Sequence, residues 1–260
     1  KLQHNSRPVT DGVGVVYSLN SLFLEDARTG SGRPYMVNFQ STVTLLDRLQ
    51  VLYDVYADRQ LKEDIPEHIN VLFAAGVRAM SDKGLETMRS FVERGGKLVT
   101  TSHFGAVDRH GRPRQKHKRQ WVNQHDNVIV LKDGVKSWLK NWQRGQYKMQ
   151  KAMGWAEKPL PEVADTIQPV IKEYAPRTVT YRKADGTLAP RKAGARISED
   201  GTVYVFVDPW AKTTQIEVRG TYRRAKNLYS GQTKEISSKQ GTAQVTVEEG
   251  PAIIRLTPQQ

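Results

Sequence analysis

The chain has 260 residues, 38% of them hydrophobic and 26% charged, which allows one large domain or two small ones with real cores. It has no cysteine, which excludes disulfides, thiolate zinc sites and cysteine nucleophiles. No run of about 18 apolar residues is present, so no membrane span is expected, and the formal charge of +13 favours an anionic partner or else a solvated basic surface.

The N-terminal residues Lys1, Leu2, Gln3, His4 and Asn5 form no apolar signal core, and no initiator methionine stands first. The expectation is a processed or excised chain, with an extracytoplasmic or secreted setting favoured over the cytoplasm. Residues 13–17 are a continuous apolar run ending at Ser18, the pattern of a buried parallel strand. Residues 19–36, with Gly30, Gly32 and Pro34, read as irregular. A helical pattern follows over 37–49, where Val43, Leu46 and Leu49 share a face with Phe39. Residues 51–55 and 71–75 are the next two strands.

Ser81 is an N-cap for a helix whose stripe is Leu85, Met88, Phe91 and Val92. Gly95 is placed to end that helix with a left-handed backbone. Residues 98–101 and 128–131 complete a β-α-β rhythm that predicts a parallel sheet with right-handed crossovers. A helix rich in Trp, Lys and Gln is expected over 135–153, then a Pro-rich linker with a short helix over 162–174. Beyond Arg177 the pattern is β: 179–181 into a turn at Asp185 and Gly186, then 203–207, 215–219, 225–229, 243–247 and 252–256. Close strands with turn signals predict an antiparallel sandwich. Alternation places Tyr204 and Phe206 on one face, expected to be the core face, with Trp210 nearby as an alternative sugar platform.

The turn after residues 98–101 lies where α/β folds place their chemistry. It carries Ser102 and His103, with Asp108 beyond. These are the residue types of a hydrolytic triad, but the side chains of adjacent Ser and His diverge, and the surroundings are not Gly-x-Ser-x-Gly. A polar turn is the simpler reading. His103, His110, His117 and His125 stand among cations that oppose a divalent ion, and no metal or other cofactor is expected. Arg109, Arg112, Arg114, Lys116, Lys118 and Arg119 crowd eleven positions, with Trp121 beside them. This basic loop is a candidate anion-binding or interface segment. It reads as a contact for acidic glycan, for a partner subunit or, less well, for nucleic acid, since no recognised nucleic-acid motif accompanies it.

Several stretches carry a resemblance. Residues 15–21 (Val-Val-Tyr-Ser-Leu-Asn-Ser), 46–55 (Leu-Asp-Arg-Leu-Gln-Val-Leu-Tyr-Asp-Val), 91–101 around Gly95 and Gly96, and the Gly105-to-Asp108 loop resemble the amidotransferase-like trimerisation domain of glycoside hydrolase family 42 β-galactosidases. Residues 203–209, the Asn-Leu-Tyr-Ser-Gly-Gln of 227–232 and 250–256 resemble the small β-domain that closes many glycoside hydrolases. The resemblance implies an α/β fold: a flavodoxin-like, class I amidotransferase-like parallel sheet over 1–155, a linker over 156–176 and a small antiparallel β-sandwich over 177–260. It implies a non-catalytic assembly or accessory region, in a homo-oligomer such as a trimer or packed on a catalytic barrel. The family's glutamate pair belongs to a barrel that has no room before Val13, so no catalytic residue carries over. The nucleophilic cysteine of the related amidotransferases is also missing. Two rival readings are a degenerate amidohydrolase at Ser102 and His103, and a binding module built on loop 109–119.

Overall fold

The computed structural model describes residues 5–62, 64–131, 163–188, 194–207, 214–236, 238–247 and 252–259. The helix expected over 135–153 and Trp210 lie outside them. The strands, in chain order, are β1 (Ser6–Pro8), β2 (Val13–Tyr17), β3 (Tyr53–Ala57), β4 (Val71–Ala74), β5 (Lys97–Thr101), β6 (Val128–Leu131), β7 (Val179–Lys183), β8 (Gly194–Ser198), β9 (Val203–Val207), β10 (Thr214–Arg219), β11 (Tyr222–Asn227), β12 (Thr233–Glu235), β13 (Ser238–Lys239), β14 (Thr242–Val247) and β15 (Ala252–Pro258). The helices are α1 (Leu19–Thr29), α2 (Arg33–Arg48), α3 (Asp82–Glu93) and α4 (Val163–Tyr174).

The first half is a parallel sheet in the order β3-β2-β4-β5-β6. Period-two alternation divides its side chains between two cores. Val13, Val15, Val71, Phe73 and Val99 pack with Leu45 and Leu46 of α2, with Leu49 just past its end, and with Ala164, Ile167 and Ile171 of α4. Val16, Leu72, Ala74 and Leu98 face Leu85, Met88, Phe91 and Val92 of α3. Burial on both faces explains why these strands read as continuous apolar runs. The Ser81 hydroxyl accepts from the Gly84 amide at 3.0 Å, the expected cap. Past α3, Gly95 takes φ +101°, and a Cβ on Gly96 would sit 2.3 Å from the Phe91 ring. The double glycine therefore meets two separate demands, a positive φ and a close approach.

Residues 19–36 are not irregular. They hold α1 and the first turn of α2, separated by Gly30 at φ +69°. The α1 helix escapes pattern reading because its polarity is inverted. Its buried residues are Ser21 and Glu25, while Leu19 and Phe23 are exposed. The Ser21 hydroxyl accepts from the Arg78 and Ala79 amides at 2.9 and 3.0 Å, and Glu25 meets Arg28 and Arg78.

The second half has two antiparallel sheets, β1-β8-β9-β15-β11-β12 and β13-β14-β10-β7. Their apolar residues form one shared core. Val203, Val205 and Val207 point into it, whereas Tyr204 and Phe206 are only half-buried on the opposite side of β9. The alternation holds, but the face is the reverse of the expected one: the branched valines fill the core. Strand β1 pairs with β8, so residues 6–8 belong to the sheet of the second half although sequence grouped them with the first. Three polar residues ending in proline give no strand signal, and proline suits an edge position. The short helix expected in the linker forms as α4, packed into the α/β core.

Among the described residues, the halves are clasped around Asp11 and Gln50. The Asp11 carboxylate accepts from the Leu52 amide at 2.7 Å and from the Thr178 amide at 2.7 Å, and the Asp11 amide donates to the Leu52 carbonyl at 2.8 Å. Gln50, at φ +56°, lays its side-chain amide along β7: its Nε2 donates to the Tyr181 carbonyl at 2.9 Å and its Oε1 accepts from the Tyr181 amide at 2.7 Å. The Arg177 guanidinium donates to the Leu49 carbonyl at 2.6 Å, and Leu52 inserts into the core of the second half.

Burial raises the pKa of Asp11 above the usual 3.8, against the lowering by the two amides and Arg177. The folded state therefore binds this proton first, and the contribution of Asp11 to stability rises as pH falls through the raised value and levels off below 3.8. Asp11→Ala strands two amides and should lose about 2–6 kcal/mol, since each unmet buried donor costs about 1–3 kcal/mol. Urea unfolding across pH should show that loss, and the gap between parent and variant should widen as pH falls through the raised Asp11 value. Equal stability of the two proteins would mean that the clasp carries no energy.

Candidate functional site

The carboxyl edge of the parallel sheet is where sequence placed the chemistry. At the end of β5, the Thr100 hydroxyl donates to the Ala74 carbonyl at 3.0 Å and the Thr101 hydroxyl accepts from the Gly76 amide at 3.2 Å. The chain then turns at once: the Phe104 amide donates to Thr101, Gly105 to Val77 and Ala106 to His103. Ser102 is half-buried, His103 is exposed and Phe104 is fully buried. Val107 bridges Ala79 on one side and Pro113 on the other, closing a small loop over 108–112.

Asp108 organises that loop. Its Oδ1 accepts from the His110 and Arg112 amides at 2.8 and 3.0 Å, and its Oδ2 from the Arg112 guanidinium at 2.7 Å. Desolvation works against these bonds, yet together they hold the carboxyl down at about 2. Among the described residues, no hydrogen bond joins Ser102 to His103, or either of them to Asp108. The three residues share a turn but do not form a relay.

The six cations of the basic loop divide by role. Arg114 is the least exposed, with a side chain only 3% accessible, against 73% for its partner Asp82. It donates to Asp82 Oδ1 at 2.8 and 3.0 Å, to the Gly105 and Val107 carbonyls at 3.0 and 2.6 Å, and to the Met80 carbonyl at 2.6 Å. The hydrogen bond from Arg114, helped by its charge and that of Lys118, lowers the Asp82 pKa. Arg119 donates to the Ser102 and Phe104 carbonyls at 3.1 and 3.3 Å. These two guanidiniums fasten the loop to its own turn. Arg112 is held by Asp108 but lies largely in solvent, as do Arg109, Lys116 and Lys118. Trp121 is half-buried on the 3-10 segment Lys116–Asn123, its ring 81° from that of Phe104 with centroids 6.3 Å apart.

Sequence placed the loop at this edge but could not sort its cations. Asp82 was missed altogether, because 32 positions separate it from Arg114 and no local pattern links them. Of the four histidines, His110 accepts from the Arg109 guanidinium and His125 from the Asn127 amide. Among the described residues, no three His, Asp or Glu side chains gather as metal ligands. None of the described helices is long and apolar enough to cross a membrane.

No family profile and no curated protein matches the amino-acid sequence. Solved structures do match the fold. An α-L-fucosidase, isoenzyme 2 of Paenibacillus thiaminolyticus, superposes with a TM-score of 0.60 at 10% identity, over 98% of this chain and 50% of that one. A β-galactosidase from Bacillus circulans sp. alkalophilus gives 0.58 at 14% identity, over 95% and 42%. Gan42B, a GH42 β-galactosidase of G. stearothermophilus, gives 0.55 at 12% identity, over 97% and 41%. The chain is thus similar in fold to parts of glycosidases, and spans half or less of their length.

Arg114→Ala leaves three carbonyls and Asp82 without their donor. It should destabilise the parallel-sheet half by about 2–4 kcal/mol, the scale for losing buried charge-assisted bonds. Lys116→Ser with Lys118→Ser should stay within about 0.5 kcal/mol, as exposed substitutions do. Chemical denaturation of the two variants separates the roles, and equal midpoints would refute the division.

Proposed function

We propose that this chain is a non-catalytic assembly or accessory region of a glycoside-hydrolase-like protein of the GH42 β-galactosidase type. In this reading the first half is a flavodoxin-like domain of the class I amidotransferase kind, and the second is a β-sandwich beside it. The observation that carries the proposal is the coverage: 95–98% of this chain superposes on glycosidases of which it spans half or less. The clasp at Asp11 and Gln50 supports both halves acting as a unit.

The assembly role draws on α1. Leu19 and Phe23 face solvent while Ser21 and Glu25 face inward. Exposed apolar groups placed together suit a covering partner, here a second copy or a catalytic barrel. The amidohydrolase alternative gains nothing from a turn whose nearby carboxylate is held by His110 and Arg112. The exposed cations Arg109, Arg112, Lys116 and Lys118 would lie at the rim of such an interface, facing acidic groups of the partner.

The purified chain should show no turnover of aryl galactosides or fucosides, and it should self-associate or bind a barrel-bearing chain in sedimentation velocity. Phe23→Ser should weaken that association about tenfold, the equivalent of about 1.4 kcal/mol, without moving the unfolding midpoint. Turnover abolished by substituting a carboxylate of this chain would overturn the non-catalytic reading. A strict monomer, alone and with a barrel, would overturn the assembly reading.

A further inference from the structure

We propose that the groove between α3 and the 3-10 segment Lys116–Asn123 binds a neutral saccharide, with Trp121 as its platform. The groove encloses about 500 Å³, inside the range of about 300–1,000 Å³ usual for small-ligand sites. Its walls come from one face of α3, where Asp82, Leu85, Glu86 and Arg89 recur at helical spacing, and from His117, Trp121 and Gln124 opposite.

The chemistry of those walls selects the ligand. Trp121 rests against Phe104, which is fully buried, so the indole stands on a fixed base. Glu86, His117 and Gln124 are exposed around it and carry planar polar ends that exchange hydrogen bonds with hydroxyls. An aromatic surface flanked by such groups matches the two surfaces of a pyranose, an apolar C–H face and a belt of hydroxyls. Charge then decides between classes. Two carboxylates, Asp82 and Glu86, stand in the same groove as two cations, Arg89 and Lys118, so their formal charges cancel. Asp82 is already held by Arg114, and Arg89 by Glu93. The lining itself offers no excess of either charge to a polyanion or an organic cation, whereas a neutral polyol needs none. Leu19 and Phe23 of α1 do not line the groove, which shares Lys118 alone with the cations placed at the rim of the proposed interface, so sugar binding is tested separately from assembly.

The test is a titration of the intact chain with lactose, cellobiose and maltose, read by the indole N–H signals of its five tryptophans. The Trp121 signal is assigned through Trp121→Phe. A saturable shift of that signal by at least one disaccharide is expected, with a dissociation constant on the order of 1 mM. Glu86→Ala combined with Gln124→Ala, both at exposed positions, should weaken binding about tenfold at an unchanged unfolding midpoint. Three results would overturn the proposal: no saturable shift up to the solubility of the sugars, a shift confined to other tryptophans, or an affinity untouched by the double variant. A heparin disaccharide or choline that moves the Trp121 signal at lower concentration than every neutral sugar would overturn it as well.

Discussion

A buried carboxylate at the joint between two unlike sheets is the constraint on which the rest of this structure depends. Asp11 must reach two amides at once, one just before β3 and one just before β7. That fixes where the first half may end and where the second must begin. A carboxylate out of water is costly unless its oxygens are filled by donors. Burial here raises the Asp11 pKa even with both amides in place. The arrangement persists because the same short segment supplies everything else at the joint. Gln50 completes the open edge of β7, Arg177 takes the Leu49 carbonyl, and Leu52 enters the second core. Gln50 needs a left-handed backbone to do so, which costs about 1–2 kcal/mol for an ordinary residue. Two hydrogen bonds to a buried strand edge offset that cost.

The same logic governs the carboxyl edge of the parallel sheet. In open α/β folds this crevice is the usual seat of a ligand. Here Phe104 is buried in the core beneath the turn, and Arg114 and Arg119 fasten the following loop by donating to carbonyls of residues 102–107 and Met80. A sequence with six cations in eleven positions suggests a surface made for anions. Two of the six are instead hydrogen-bond donors to the chain's own backbone. Asp82 and Asp108 also pair with Arg114 and Arg112, so a partner would meet less net charge at this loop than its six cations suggest.

The strands of the parallel sheet were legible because burial on both faces leaves an unbroken apolar run. The start and stop of α3 were legible because a capping serine and a double glycine are local chemistry. Strand β3 came out two residues late, since the left-handed turn at Gln50 has no glycine to announce it. Helix α1 was lost because its buried residues are polar, with Ser21 taking the backbone amides of Arg78 and Ala79, while Leu22 packs against the core only half-buried. Tyr204 and Phe206 were turned the wrong way because size is a poorer guide to the inward face than β-branching. Strand β1, the Arg114–Asp82 pair and the Asp11 clasp join positions 32 to 192 residues apart, so no local pattern could reveal them. At the candidate site, sequence placed Ser102, His103 and the loop along one edge. It could not show that Asp108 serves the loop and not the histidine.

Fold likeness at 10–14% identity preserves packing and leaves the choice of surface side chains open. What distinguishes this chain must then be sought where packing does not dictate the residue. The parallel-sheet edge is not such a place, because its polar groups are spent on closing the turn. The outer side of α3 is different. Its inner stripe is fixed by the core, but Glu86 and Arg89 face outward and no packing demand selects them. The loop that seals the edge also carries Trp121 to that helix, and Arg114 ties the two together through Asp82. Closing one crevice in this fold thus builds the wall of another, with a rigid aromatic at its base and a balanced set of charges around it.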